Sequence, residues 1–110
     1  MSVENRRSPR FDCRGAAGLQ RLPAVGTPIS ARIENLSEGG CLMELSKPVN
    51  LELGEKVELS FEVHHMPFRV LGHARALRSE TLIGFQFCEI SERGKRQLQD
   101  LIEELRPPDG

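Results

Sequence analysis

The segment KVELSFEVH, residues 56–64, decides the fold class of this 110-residue chain. Its apolar residues recur at every second position: Val57, Leu59, Phe61 and Val63. Polar residues stand between them, and such alternation is typical of a β-strand that buries one face and exposes the other. We therefore expect a mainly β protein in which this strand turns its apolar face toward the core.

Five further segments predict strands: residues 11–22, 30–36, 41–45, 68–78 and 81–87. The first has weak alternation and two glycines, so we expect it to be irregular. In the last, Ile83, Phe85 and Phe87 share one face and are expected to join Phe61 in the core. Gly72 lies inside its strand, which commonly marks a bulge or a bend at a barrel corner.

Turn and helix signals complete the predicted elements. Residues 65–67 are expected to form a turn between two of the strands. After Ser91, a suitable N-cap, the apolar residues follow helical spacing: Leu98, Leu101, Ile102 and Leu105. Pro107 and Pro108 would end this helix, which is expected over about residues 91–105. Six short strands and one amphipathic helix favour a closed or nearly closed antiparallel barrel whose end or flank the helix covers.

The charge is distributed unevenly along the chain. The formal net charge of −1 argues against a general nucleic-acid binder, which is usually strongly basic. Residues 1–21 nevertheless hold five arginines against two carboxylates, a net charge of +3, and the remainder carries −4. Residues 1–10 are polar and contain Pro9, so they predict a flexible arm ahead of a single domain over residues 11–106. This pattern suggests a compact anionic ligand.

Other functional classes have little support in the sequence. The three cysteines lie far apart without a metal-ligand pattern, and we expect Cys13, Cys41 and Cys88 to be small buried apolar residues. The histidines lack matching metal-ligand spacing, and no motif of a catalytic nucleophile or phosphate loop appears. No apolar run is long enough to insert in a membrane. The prediction is a cytoplasmic protein that is not an enzyme and holds no metal or cofactor.

Two short motifs carry the functional interpretation. Arg6, Arg7 and Arg10 can converge on one anion, and the planar guanidinium fork donates in pairs to phosphate or to the acceptor edge of guanine. In the segment NLSEGG, residues 35–40, an amide, a hydroxyl and a glycine pair stand together. Taken separately, each motif is more often structural: a solvated tail in the first case, a tight loop in the second.

Together the motifs resemble the signature of the PilZ domain family. That signature is Arg-x-x-x-Arg, here Arg6 and Arg10, followed by Asn-x-Ser-x-x-Gly, here Asn35, Ser37 and Gly40. The resemblance covers nearly the whole chain and implies a six-stranded antiparallel, Greek-key-like barrel with a C-terminal helix. It also implies binding of cyclic di-GMP.

The resemblance further assigns a role to each matching residue. The arginines would contact phosphates and guanine edges, with Arg7 as an additional contact. Asn35 and Ser37 would meet the ligand from the barrel surface, and Gly40 would keep its path clear. The family accepts Asp or Asn at the first turn position, and Asn offers a single accepting oxygen to guanine.

Three functions remain open from the sequence. The first is a cyclic di-GMP receptor that changes its arm and surface on binding and signals to a separate effector protein. The second is a PilZ-like adaptor that contacts proteins without binding a nucleotide, although such members usually lack the two motifs. The third is a small barrel for single-stranded nucleic acid, which would need exposed aromatic residues and a basic groove.

Overall fold

The computed structural model describes residues 10–23 and 25–106. The elements in chain order are β1 (Phe11–Arg21), β2 (Ile29–Leu36), β3 (Gly40–Leu45), β4 (Lys56–Val63), β5 (Met66–Leu77), β6 (Leu82–Glu89) and α1 (Glu92–Leu105). All neighbouring strands pair antiparallel in the order β1-β2-β3-β6-β5-β4, and β4 pairs back onto β1 to close a barrel. The predicted six-stranded barrel with a C-terminal helix is confirmed. The predicted arm, apart from Arg10, lies outside the described residues.

The core fills the interior of the barrel with alternating side chains from every strand. On β4, the four apolar residues predicted to point inward are between 0% and 3% exposed. Phe61 stacks on Phe68 with ring centroids 5.1 Å apart and on Phe87 at 6.0 Å. Ile83 and Phe85 are buried as predicted, but Phe87 is only partly buried because it lies near the end of β6.

Helix α1 contributes to the same core at one end of the barrel. The Ser91 hydroxyl accepts a hydrogen bond from the Gly94 amide at 3.0 Å, which is the predicted N-cap. The helix buries Leu98, Leu101 and Ile102, while Leu105 packs against the core from a partly buried position. At its C-terminal end, the Arg106 guanidinium lies 5.8 Å from the centroid of the Phe11 ring. The helix therefore ends beside the start of β1.

The opposite end of the barrel is formed by the β1–β2, β3–β4 and β5–β6 connections. The β3–β4 connection joins two strands that are not neighbours in the sheet, and it buries Leu51. The Arg21 side chain holds this connection by hydrogen bonds to the Asn50 carbonyl and to Glu55. Gly54, with a φ of 86°, closes the connection before β4.

The β4–β5 turn differs from its prediction. The turn residues are His64 and His65, with φ values of 52° and 65°, and Met66 already belongs to β5. Two consecutive residues with positive φ form the tight hairpin turn whose twist matches that of its strands. The expected turn at residues 65–67 was therefore placed too late.

Gly72 occupies the irregular position that its place in a strand predicted. The pairing of β5 with β6 shifts register between Leu71 and Gly72. A Cβ atom at Gly72 would lie 2.8 Å from the Gln86 carbonyl oxygen and 3.1 Å from a Leu59 methyl group. The bulge thus brings two strands closer together than any larger residue would permit.

Replacement of Phe61 by alanine tests the core. Phe61→Ala removes a ring stacked between two others and should lower the free energy of unfolding by about 3–5 kcal/mol, as for other buried aromatic residues. Glu62→Ala, its exposed neighbour on β4, should change it by less than about 0.5 kcal/mol. Urea denaturation followed by circular dichroism measures both, and equal stabilities of the two variants would contradict the assigned face of β4.

Candidate functional site

The connection between β2 and β3, residues 37–39, is a tight turn anchored on two sides. Within the hairpin, the Ser37 amide donates to the Gly40 carbonyl at 2.9 Å. Across the barrel wall, the Phe87 amide of β6 donates to the Gly39 carbonyl at 2.8 Å. The turn is therefore held by its own hairpin and by a third strand.

The Ser37 hydroxyl is part of this turn. The side chain is 7% exposed, and its Oγ accepts from the Gly39 amide at 3.3 Å and from the Gly40 amide at 3.2 Å. The same hydroxyl lies 3.3 Å from the Gly40 carbonyl, to which it can donate. The Ser37 hydroxyl therefore uses its donor and its acceptor within the turn, and its expected contact with a ligand stays a prediction.

Gly40 is required by packing against β6. It pairs with Gln86, and a Cβ atom on it would lie 2.1 Å from the Phe85 carbonyl oxygen. Among the described glycines the left-handed φ values belong to Gly26 and Gly54, so unusual backbone angles are not the reason for Gly40. A larger residue at this position would clash with the neighbouring strand β6. The sequence alone did not reveal this reason for the glycine.

Asn35 is the turn-motif residue with an uncommitted acceptor. It follows a register shift in the β2–β3 pairing and lies opposite Asp12 on β1 and Leu42 on β3. Its Oδ1 is buried and has no hydrogen-bond partner within the described part of the chain. Buried acceptors are nearly always paired, so this oxygen is suited to receive a donor from a ligand.

The strand register brings Arg10 to the same edge of the barrel. Phe11 pairs with Leu36, so Arg10 precedes β1 at the level where β2 ends and the turn begins. Arg10 is exposed. Burial raises the pKa of the Cys41 thiol and Cys13 raises it further, whereas the positive charge of Arg10 lowers it. Arg10, Asn35, Ser37 and Gly40 thus gather at one edge.

The remaining predicted contacts, Arg6 and Arg7, lie outside the described residues. Their place in the site therefore stays a prediction. Arg10, which was expected to act together with Arg6, does lie at this edge of the barrel.

A polar pair missed by the sequence analysis borders the turn. The Arg75 guanidinium on β5 donates to the Gln86 side chain, and Gln86 stands opposite Gly40 in the β3–β6 pairing. Alternation within residues 81–87 does place Gln86 on the outer face. What the sequence did not show is that β6 pairs with β3, which brings this pair beside the turn.

The cysteines differ from one another. Cys13 and Cys41 are buried as predicted, and burial raises the pKa of Cys13 to about 11, with smaller contributions from Asp12 and Glu34. Cys88 is exposed, so the prediction that it is buried is wrong. Its position on β6 alternates with the inward-facing residues, which places its thiol on the outer face.

The described residues offer neither a metal cluster nor a membrane-spanning helix. In residues 10–23 and 25–106, no three His, Cys, Asp or Glu side chains are grouped closely enough to hold a metal ion. Over the same ranges, the helix is too short and too polar to cross a membrane.

Comparisons with known proteins identify what the chain is similar to. The profile of the PilZ domain family matches residues 4–104. The sequence matches no curated protein. The structure resembles the PilZ domain of YcgR with c-di-GMP from Escherichia coli, with a TM-score of 0.68 and 21% identity over 93% of this chain and 92% of that one.

Two longer proteins share the fold. The Bacillus subtilis inhibitor of motility MotI/DgrA has a TM-score of 0.72 and 19% identity over 93% of this chain and 51% of that one. The MrkH–c-di-GMP complex of K. pneumonia has a TM-score of 0.74 and 19% identity over 94% of this chain and 52% of that one. This chain therefore spans about half the length of these two proteins.

Loss of the Ser37 hydroxyl should destabilise the turn. Ser37→Ala removes the acceptor of two part-buried hydrogen bonds from the Gly39 and Gly40 amides, which should cost about 1–3 kcal/mol of unfolding free energy. Ser79→Ala is a matched control, since the Ser79 hydroxyl also accepts from two amides, those of Thr81 and Leu82, but is exposed to water. Urea denaturation should show a smaller loss for Ser79→Ala, and the reverse order would contradict the structural role of Ser37.

Gly40 and Gly84 provide a second matched pair on adjacent strands. Gly40→Ala places a methyl group against the Phe85 carbonyl and should destabilise the fold by about 1–3 kcal/mol or more. A Cβ atom at Gly84 would make ordinary contact with Ala76 at 3.4 Å, so Gly84→Ala should change stability by less than about 1 kcal/mol. Thermal denaturation measures both variants, and an unchanged melting temperature for Gly40→Ala would refute the close β3–β6 approach.

Proposed function

The chain belongs to the PilZ domain family, and on that premise we propose that it is a receptor for cyclic di-GMP without enzymatic activity of its own. The observation that carries the proposal is the edge formed by Arg10, Asn35, Ser37 and Gly40. An exposed cation and a buried acceptor without a partner in the described residues lie at this same edge of the barrel. The ligand presents phosphates to the first and guanine N–H groups to the second.

Each residue of the proposed site has a distinct task. Arg10, with Arg6 and Arg7, donates to the phosphates and to guanine edges, for which the guanidinium fork is suited. The Asn35 Oδ1 accepts from guanine. Ser37 and Gly40 hold the turn in the shape that presents this oxygen, so they act on the ligand chiefly through the backbone.

The binding free energy has to exceed the cost of ordering the residues that close over the ligand. Fixing the backbone of one residue costs about 1–2 kcal/mol. A hydrogen bond to a charged group contributes about 1.5–3 kcal/mol, and an arginine can make two. Three arginines that each make two such bonds can therefore offset the ordering of the five residues from Arg6 to Arg10.

Signalling would follow from this ordering. Residues 1–10 would change position when their arginines engage the ligand, and the surface beside the turn would change in shape and charge. We propose that a separate effector protein reads this change. Relatives that hold the domain within a longer chain show that the fold also occurs joined to further sequence.

Titration calorimetry with cyclic di-GMP, with GTP as the control nucleotide, tests the proposal directly. Saturable binding of cyclic di-GMP at micromolar or lower concentrations with no binding of GTP would support it. Failure of a folded chain to bind cyclic di-GMP would favour the alternative function, a PilZ-like adaptor that acts by protein contact alone.

Substitution of the arginines should weaken binding without unfolding the barrel. Arg10→Ala or Arg6→Ala removes at least one charge-assisted contact, so the dissociation constant should rise tenfold or more. Arg78→Ala, at the opposite end of the barrel, removes the same charge and should leave affinity within about twofold. Unchanged affinity in both clamp variants, measured by calorimetry, would refute the role of the arginines.

A further inference from the structure

The outer wall of the barrel beyond the β2–β3 turn carries a cationic side chain that the site described above does not use. On β5, Arg75 is exposed, and its guanidinium donates to the side chain of Gln86 on β6. In the sheet, Gln86 is paired with Gly40 on one side and with His73 on the other. Arg75 is therefore held by a neutral residue that stands directly beside the turn motif.

The charge of Arg75 has no carboxylate partner in the described part of the chain. The ion pairs within residues 10–23 and 25–106 do not include Arg75, whereas Arg69, on the same face of β5, lies 3.9 Å from Glu58. Gln86 is uncharged and takes up only part of the donor capacity of a guanidinium group. Arg75 thus combines a fixed position with donors that remain available to a ligand.

A second polar group beside Gln86 also lacks a partner. Among the described residues, the buried side-chain polar atoms without a hydrogen bond are the Asn35 Oδ1 and the His73 Nδ1. Asn35 lies on β2 and His73 on β5, on either side of the paired strands β3 and β6. Buried polar atoms are nearly always paired, so both flanks of this wall are suited to bind a polar ligand.

The wall between these two flanks presents few side chains. Gly40 and Gly84 occupy outward positions of their strands, and Leu42, also outward, is partly buried. Because glycine has no side chain, a planar group can approach the backbone closely there. From β2 to β6 the wall measures two strand spacings, roughly 10 Å. The two bases of an extended cyclic dinucleotide lie at least this far apart, so a base at Asn35 leaves the other near Gln86.

We propose that Arg75, positioned by Gln86, binds the second guanine of cyclic di-GMP and makes the site selective for that base. The inference rests on the proposed function, which supplies the ligand and assigns one guanine to Asn35. The acceptor edge of guanine presents O6 and N7, to which the guanidinium fork donates in a pair. Adenine carries an amino group in place of O6, so the same fork would face a donor. Arg75 therefore discriminates between purines, which a contact with phosphate does not.

A mixed dinucleotide tests this contact. Cyclic GMP–AMP carries one guanine and one adenine on the same pair of phosphates, so its affinity relative to cyclic di-GMP reports recognition of the base. The unmodified chain should prefer cyclic di-GMP by about fivefold or more, as expected for one paired arginine–guanine contact. In Arg75→Ala this preference should fall by about threefold or more. Titration calorimetry measures both affinities, and weak binding is measured by displacement of cyclic di-GMP.

Arg78→Ala is the matched control, because Arg78 is also exposed, follows β5 directly and carries the same charge. Loss of this charge should act on both ligands equally and leave the preference unchanged. Arg75→Gln keeps a polar side chain on the outer face and should lose the preference as Arg75→Ala does. A preference that is unchanged in both Arg75 variants, or an unmodified chain that binds the two ligands equally, would overturn the proposal.

The positioning role of Gln86 is tested by its coupling to Arg75. Gln86→Ala releases the guanidinium and should weaken binding of cyclic di-GMP less than Arg75→Ala does. Adding Gln86→Ala to Arg75→Ala should cause no further loss, since Gln86 acts through Arg75, and additive losses would overturn this role. Failure of the folded, unmodified chain to bind cyclic di-GMP would refute the proposed function itself. Binding with a preference that does not depend on Arg75 would overturn only the contact with the second guanine.

Discussion

The close approach of β3 to β6 at Gly40 is the constraint on which the rest of the structure depends. The backbone there lies so near the Phe85 carbonyl that a hydrogen atom is the largest substituent that fits. This pairing joins strands that are distant in sequence, and together with the β1–β4 pairing it leaves no free sheet edge. It also fixes the β2–β3 turn, since the Gly39 carbonyl is bound by β6. The shape of the candidate site is therefore a property of the closed barrel.

The residues at this edge of the barrel divide into those that the turn itself uses and those whose polar groups have no partner in the described residues. Ser37 and Gly40 are committed to the turn by hydrogen bonds and by packing. Asn35 retains a buried acceptor without a partner in the described residues, and Arg10 retains its exposure. Under the proposed function, a turn already held in one shape adds little to the entropic cost of recognition, which falls mainly on the residues that carry the arginines.

Much of the fold was predictable because the local periodicity of apolar residues determines the type of element and its buried face. The alternation in β4 and the helical spacing from Leu98 onward both gave the correct element and the correct buried face. Cys88 shows how a preference for residue type can mislead: cysteine is usually buried, but the parity of β6 placed it outside. In that strand the period was the better guide.

The other errors have physical causes that no short pattern carries. Two histidines form a turn with positive φ, a conformation usually signalled by Asn or Gly. The role of Gly40 and the neighbourhood of Arg75 and Gln86 depend on which strands pair across the barrel. For the site, the sequence identified the residue types, but the hydrogen bonds of Ser37 could be assigned only from the folded turn.

The order of strands in the barrel has a consequence for how the site is assembled. Four pairings join consecutive strands, but closure has to wait for β3 to meet β6 and for β4 to meet β1, contacts of long sequence separation that slow folding. The β2–β3 turn is complete only after β3 has paired with β6. Under the proposed function, ligand binding and barrel closure are linked equilibria. A ligand that recognises the finished turn would stabilise the closed state by mass action, and a chain with a weakened β3–β6 pairing would lose affinity before it loses its hairpins.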